Sequence, residues 1–128
     1  GKCLLSRFSG EELEFVMSGC QFPAYTPNST TNLQDLKIYL RQVRRQGWAI
    51  DYEEFTPGQR CIGAPIYDYR GEIIAAISAS GPATILTDDR IKEVVARVTE
   101  TAAEISHCPM PEVRRIQFTI LPSTPKSN

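Results

Sequence analysis

The sequence has few of the residues from which metal and catalytic sites are usually built. It contains one histidine, His107, and its four cysteines (Cys3, Cys20, Cys61 and Cys108) form no Cys-x-x-Cys pair. A zinc site needs about four ligands, and a cysteine or serine nucleophile usually needs a neighbouring histidine as base. The sequence therefore predicts no metal ion and no cofactor, and any nucleophilic enzyme would have to use His107.

The chain also lacks a charge excess and a long apolar run. Among 128 residues, 15 acidic and 14 basic side chains give a net charge of −1, which disfavours a generally basic nucleic-acid binder. No apolar stretch approaches the length of about 18 residues that a membrane span needs, and no signal-peptide pattern opens the chain. We expect free thiols, a cytoplasmic location, no membrane partner, and one small domain or a piece of one.

Apolar spacing, caps and turn residues predict an α+β fold. Ser9 and Glu12 fit a capping box, Thr31 or Asn32 precedes a second helical stripe, and Gly47 follows that stripe. Three strands and a long helix come next, which predicts an antiparallel sheet covered by helices. The predicted helices span 10–18, 32–46 and 87–106, and the predicted strands span 48–52, 60–67, 72–80 and 113–121.

The two strands around the turn Asp68 to Gly71 are expected to form a hairpin with two unlike faces. With Tyr67 opposite Glu72, one face consists of apolar pairs, and we expect the long helix to cover it. The other face consists mainly of small residues. Its pairs are Pro65 with Ile74, Gly63 with Ala76, Cys61 with Ser78, and Gln59 with Ser80.

A strand face of glycine, alanine, serine and cysteine leaves a hollow above the sheet. The hydroxyls of Ser78 and Ser80 can donate to an anion or a carbonyl, and Asp51 can accept from a hydroxyl or an amide. These residues are a candidate floor for a small polar ligand. The alternative is that both serines are ordinary strand residues facing another helix.

The run IDYEEFTPGQRCIGAPIYDYRGEIIAAISASGP, from Ile50 to Pro82, resembles the effector-binding domain of IclR-family bacterial transcription regulators. GKCLL at the start of the chain is similar to the family's GKALL, and YTPNSTT resembles its T-P-x-T loop. The resemblance covers about Gly1 to Ser106. It implies a GAF/PAS-like domain over 1–108, followed by a C-terminal extension over 109–128 with an extra strand and a loose tail.

The resemblance also implies which residues bind a ligand. It implies that Asp51, Cys61, Ser78 and Ser80 line an effector cleft for a small keto, hydroxy or aromatic acid. Gly63 and Cys3 stand where the family usually has alanine, so they are expected to alter the cleft. The family's regulators form homodimers or homotetramers and bind operator DNA through an N-terminal winged helix-turn-helix. We expect that head, and the first part of the effector domain, to lie outside this chain.

Two other functions remain open. In the first, the chain is an enzyme that uses Cys61 as nucleophile with His107 as base, although the long helix should place His107 on the opposite side of the sheet. In the second, the chain is a dimerisation module that binds no ligand. Our interpretation is a sensor domain that has no catalytic residues. Glu53 or Glu54 is expected to pair with Arg60 and not to bind a cation.

Overall fold

The computed structural model describes residues 1–108, and it confirms the α+β fold. Three antiparallel strands form one sheet in the order β1-β2-β3, and four helices surround it. None of the described helices is long and apolar enough to cross a membrane. The predicted strand at 113–121 lies outside the described residues. The elements are α1 (Lys2–Leu5), α2 (Gly10–Val16), α3 (Leu33–Gln46), β1 (Ala49–Tyr52), β2 (Gln59–Tyr67), β3 (Ile73–Pro82) and α4 (Asp88–His107).

The helix ends follow the capping residues in the sequence. The Ser9 hydroxyl accepts a hydrogen bond from the Glu12 N–H at 3.3 Å, at the start of α2. Asn32 caps α3, because its Oδ1 accepts from the Asp35 N–H at 2.8 Å. Gly47 ends α3 with a φ of 83°, a left-handed conformation that favours glycine.

The main core lies between the sheet and α4. Ile62, Ala64 and Ile66 alternate along β2 and are buried against Val98 and Ala102 of α4. Burying each large aliphatic side chain stabilises the fold by about 1.5–3 kcal/mol. The predicted assignment of this apolar face to the long helix is confirmed.

Helices α1 and α3 lie beside the other face of the sheet. Cys3, Val43 and Ala49 form one buried cluster that joins α1, α3 and β1. A second cluster of Leu13, Leu36 and Leu40 joins α2 to α3. Helix α1 contacts both β2 and β3, so it stands over the face of small residues.

The predicted register of the hairpin was wrong by two residues. Cys61 lies opposite Ser80, and Gly63 lies opposite Ser78. The loop between the paired residues Tyr67 and Ile73 has one residue more than expected, and a bulge between Ile66 and Tyr67 adds another. From Ala75 onward the shift is two residues, which leaves the β3 side chains on their predicted faces although the pairs were wrong. Next to the turn the shift is only one residue, and Ile73 lies near Ser6 and Arg44 instead of in the core beneath α4.

Candidate ligand-binding cleft

An open cleft of about 470 Å³ lies between α1, the end of β1 and the small-residue face of β2 and β3. The small side chains on that face leave the space, and α1 forms the opposite wall. Clefts of about 300–1,000 Å³ are typical of small-molecule sites. The lining residues are Gly1, Lys2, Cys3, Leu4, Ala49, Ile50, Asp51, Glu54, Cys61, Gly63, Ala76, Ile77 and Ser78.

Five of the six residues singled out in the sequence line this cleft, and the sixth does not. The five are Cys3, Asp51, Cys61, Gly63 and Ser78. The Ser80 hydroxyl instead donates to the Arg60 carbonyl at 3.3 Å and accepts from Gln59 Nε2 at 3.2 Å. Ser80 thus shares a face with Cys61, but its hydroxyl is engaged by residues of β2.

Cys3 occupies the space above Gly63. Its Sγ lies 3.5 Å from the position that a Cβ on Gly63 would take, which is ordinary van der Waals contact. Burial raises the pKa of the Cys3 thiol, so the neutral form is favoured and this part of the wall is apolar. The Cys3 side chain on α1 thus fills space that Gly63 on β2, which has no side chain, leaves open.

Asp51 shapes the turn that follows β1. Its Oδ1 accepts a hydrogen bond from the Glu54 N–H at 2.9 Å, which fixes the backbone at the mouth of the cleft. Sequence reasoning expected Asp51 to accept from a ligand. In the structure one of its carboxylate oxygens already accepts a hydrogen bond from the protein backbone.

Sequence reasoning missed Lys2 and Glu54 as lining residues. Lys2 Nζ donates to the Ile50 carbonyl at 2.9 Å and to the Glu54 carboxylate, and it lies 4.2 Å from the centre of the Tyr39 ring. The two charged side chains are 52 positions apart in sequence. The only sequence signal was that Lys2 adjoins Cys3, which was already a candidate.

Arg60 joins the strands of the cleft to the start of α4. Its guanidinium is buried and donates to the Leu86 carbonyl at 2.8 Å, to Asp88 at 3.0 Å and to Glu53 at 3.3 Å. Its NH2 group also donates to the Tyr52 hydroxyl at 3.0 Å. The ion pair with Glu53 agrees with the sequence expectation, whereas Glu54 pairs with Lys2 instead.

His107 does not share a site with Cys61. It lines a separate cavity of about 460 Å³ near the β2–β3 turn, with Tyr67, Thr99 and Ser106. Cys61 lines the cleft described above, so the structure brings no histidine to that thiol. Within residues 1–108, no group of three or more histidine, cysteine or acidic side chains could hold a metal ion.

Comparisons with known proteins agree on one family. The family described as the bacterial transcriptional regulator IclR C-terminal domain matches residues 1–107. The HTH-type transcriptional repressor AllR of Salmonella paratyphi A is 41% identical over 106 residues, which cover 83% of this chain and 39% of AllR. The chain thus spans well under half the length of the curated relatives it matches.

Solved structures share the fold. The C-terminal domain of the E. coli regulator KdgR is 34% identical with a TM-score of 0.75, over 82% of this chain and 64% of that one. The inducer-binding domain of an Acinetobacter PobR double mutant, solved with 3-hydroxybenzoic acid, has a TM-score of 0.76. It is 24% identical, over 82% of this chain and 61% of that one, so it supports the fold alone. The chain belongs to the IclR family of bacterial transcriptional regulators and corresponds to the family's C-terminal effector-binding domain.

Proposed function

We propose that this domain binds a small organic acid in the cleft beneath α1 and thereby modulates DNA binding by a helix-turn-helix head. The observation that carries the proposal is that Asp51, Cys61 and Ser78 line one open cleft of about 470 Å³. The sequence predicts a ligand-binding role for all three residues. The PobR domain, of the same fold, was solved with an aromatic hydroxy acid.

The lining combines polar groups with apolar surface. Ser78 supplies a hydroxyl that can donate to a carboxylate or a carbonyl, and Cys61, which lies opposite Asp51 in the β1–β2 pairing, adds a weak thiol donor. Asp51 supplies an acceptor for a ligand hydroxyl. Leu4, Ala49 and Ala76 also line the cleft and provide apolar surface. Such a cleft suits a short acid that carries a second polar group.

The regulatory step is a coupling between ligand and DNA, and it needs no chemistry. A ligand that favours one subunit arrangement of a homodimer or homotetramer changes operator affinity by linkage. A coupling of about 1–3 kcal/mol gives a 5- to 150-fold change in affinity, which is sufficient for a switch. Sedimentation with and without ligand tests the oligomeric part of the proposal.

A thermal-shift screen tests ligand binding directly. The probes are pyruvate, glycolate and 3-hydroxybenzoate, each applied to the wild-type chain, Ser78→Ala and the matched control Ser18→Ala. Ser18 is exposed at the end of α2 and does not line the cleft. A ligand at one hundred times its Kd stabilises the protein by about 2.7 kcal/mol.

We expect a shift in the wild type and in Ser18→Ala, and a smaller shift in Ser78→Ala. A lost hydrogen bond of about 0.5–1.5 kcal/mol weakens binding roughly 2- to 13-fold. Equal shifts in all three proteins would place the acid elsewhere. If the chain dimerises in sedimentation but responds to none of the acids, the ligand-free dimerisation module is the better description.

A further inference from the structure

We propose that the Lys2–Glu54 ion pair sets the affinity of this cleft for acids, because a ligand carboxylate binds Lys2 only by displacing the Glu54 carboxylate. The inference deepens the proposed function and rests on it. Among the side chains that line the cleft, Lys2 is the cation, and Asp51 and Glu54 are the two anions. Lys2 is therefore the side chain of the lining that can offer a full positive charge to an acid.

The ammonium group of Lys2 is held in place by the protein. It donates to the Ile50 carbonyl at 2.9 Å and lies 4.2 Å from the centre of the Tyr39 ring. The Tyr39 hydroxyl in turn donates to the Ile50 carbonyl at 2.8 Å and accepts from the Ile50 N–H at 3.1 Å. Ring and carbonyl thus fix the position of Nζ without Glu54, so the cation stays in place when its anion is exchanged.

The backbone of Glu54 is fixed as firmly, which leaves only its side chain free to move. Its N–H donates to Asp51, and its carbonyl accepts from the Thr26 hydroxyl at 3.3 Å and from the Ser29 hydroxyl. The Glu54 carboxylate can therefore leave Lys2 by side-chain rotation alone. Neither the turn after β1 nor the loop that carries Thr26 and Ser29 has to rearrange.

Charge and burial make this exchange selective. The side chains of Lys2 and Glu54 are each only 19% exposed, so an uncompensated charge is costly at this site. While the Glu54 carboxylate is bound to Lys2, Asp51 leaves the side chains of the lining with a net negative charge, which opposes an entering acid. A neutral ligand displaces no anion, so the ion pair affects it little. Glu54 thus acts as a tethered competitor that lowers the affinity for acids in particular.

Calorimetry with matched acid and amide probes tests the inference. Pyruvate is compared with pyruvamide, and 3-hydroxybenzoate with 3-hydroxybenzamide, on the wild-type chain, Glu54→Gln, Lys2→Gln and Ser78→Ala. Glu11→Gln is the charge-matched control, since Glu11 is exposed on α2 away from the cleft. Circular dichroism and a thermal melt verify the fold of each variant.

We expect Glu54→Gln to bind the acids about tenfold more tightly, since the Glu54 carboxylate no longer competes with the ligand for the Lys2 ammonium group. Lys2→Gln should bind the acids about tenfold more weakly, and both variants should bind the amides like the wild type. Glu11→Gln should change nothing. Because the expected effect of Glu54→Gln is a gain in affinity, a folding defect cannot imitate it, and this variant decides the case if Lys2→Gln does not fold.

The contrary results are distinguishable. If Ser78→Ala binds the acids more weakly while Glu54→Gln and Lys2→Gln match the wild type, the ion-pair inference fails and the proposed function stands. If Glu54→Gln strengthens acid and amide binding alike, the side chain is a steric obstacle and charge selection is refuted. If neither the wild type nor Glu54→Gln binds any acid, the inference and the proposed function fail together.

Discussion

Ile62 and Gly63 are adjacent on β2 and lie on opposite faces of the sheet, so they test the face assignment directly. Ile62 is fully buried against the α4 side of the sheet. Gly63 lines the cleft, where an added Cβ would lie 3.5 Å from Cys3 Sγ, 3.6 Å from the Ile77 carbonyl oxygen and 3.8 Å from Ser78 Cβ. We expect Ile62→Ala to be strongly destabilising and Gly63→Ala to be tolerated.

The magnitudes follow from the two environments. Truncating a buried isoleucine to alanine costs about 2–5 kcal/mol, from lost burial and the cavity left behind. At Gly63 the new methyl group meets only ordinary contacts, and the backbone is outside the left-handed region. Alanine there also restricts the unfolded chain, which contributes about 0.4–1 kcal/mol of stability. Gly63→Ala should therefore lie within about 1 kcal/mol of the wild type.

Urea titration followed by the fluorescence of Trp48, the single tryptophan, measures both changes. The slope of the transition should be the same in all three proteins, so that a shift in midpoint reports stability. A loss in Gly63→Ala as large as that in Ile62→Ala would refute the assignment of the two faces. A loss below about 1 kcal/mol in Ile62→Ala would refute the packing of β2 against α4.

Two further predictions concern Arg60 and the thiols. Arg60→Met should destabilise the protein by about 1–3 kcal/mol, because the buried Leu86 carbonyl loses its hydrogen-bond donor. Amide hydrogen exchange should accelerate at the start of α4 and not at its centre. A uniform acceleration along α4 would argue against a local role of Arg60 at the start of that helix. Iodoacetamide should label the exposed Cys20 and Cys108 first and Cys3 last. Burial raises the Cys3 pKa above the ordinary value of a thiol, so its reactive thiolate fraction is reduced and its labelling rate should keep rising with pH beyond that ordinary value. Peptide mapping by mass spectrometry over a pH series gives the order, and early labelling of Cys3 would contradict its buried position.

The parts of the fold that local signals determine were predictable from the sequence. Ser9, Asn32 and Gly47 mark helix ends because a cap needs only its own neighbouring backbone. The alternation of Ile62, Ala64 and Ile66 identifies a buried face without any knowledge of the partner strand. The pairing with β3 depends in addition on loop length and on a bulge, and neither has a pattern in the sequence that fixes it.

The parts that depend on distant contacts were not predictable. Nothing near Lys2 indicates that it meets Glu54, because tertiary packing, including that of Cys3, Val43 and Ala49, brings α1 and the turn after β1 together. The hydrogen bonds of the Ser80 hydroxyl were not predictable for the same reason, although Ser80 does lie on the predicted face of the sheet. Its hydroxyl is engaged by Gln59 and Arg60, as a consequence of the observed register.

The β2 and β3 residues predicted for the site share one face despite the error in register, because of parity in the hairpin. Five residues separate Tyr67 from Ile73, where four were expected, and this difference alone would have turned every later residue of β3 to the wrong face. The bulge leaves Ile74 without a partner and shifts the ladder by one more residue, so Ala75 and Ile77 return to the α4 side. Ser78 then faces the cleft, as the alternating pattern required. Burial against α4 therefore determines which face of the sheet each β3 side chain lies on more strongly than the turn determines the cross-strand pairs. For this reason a ligand site inferred from the shared face is more secure than one inferred from individual cross-strand partners.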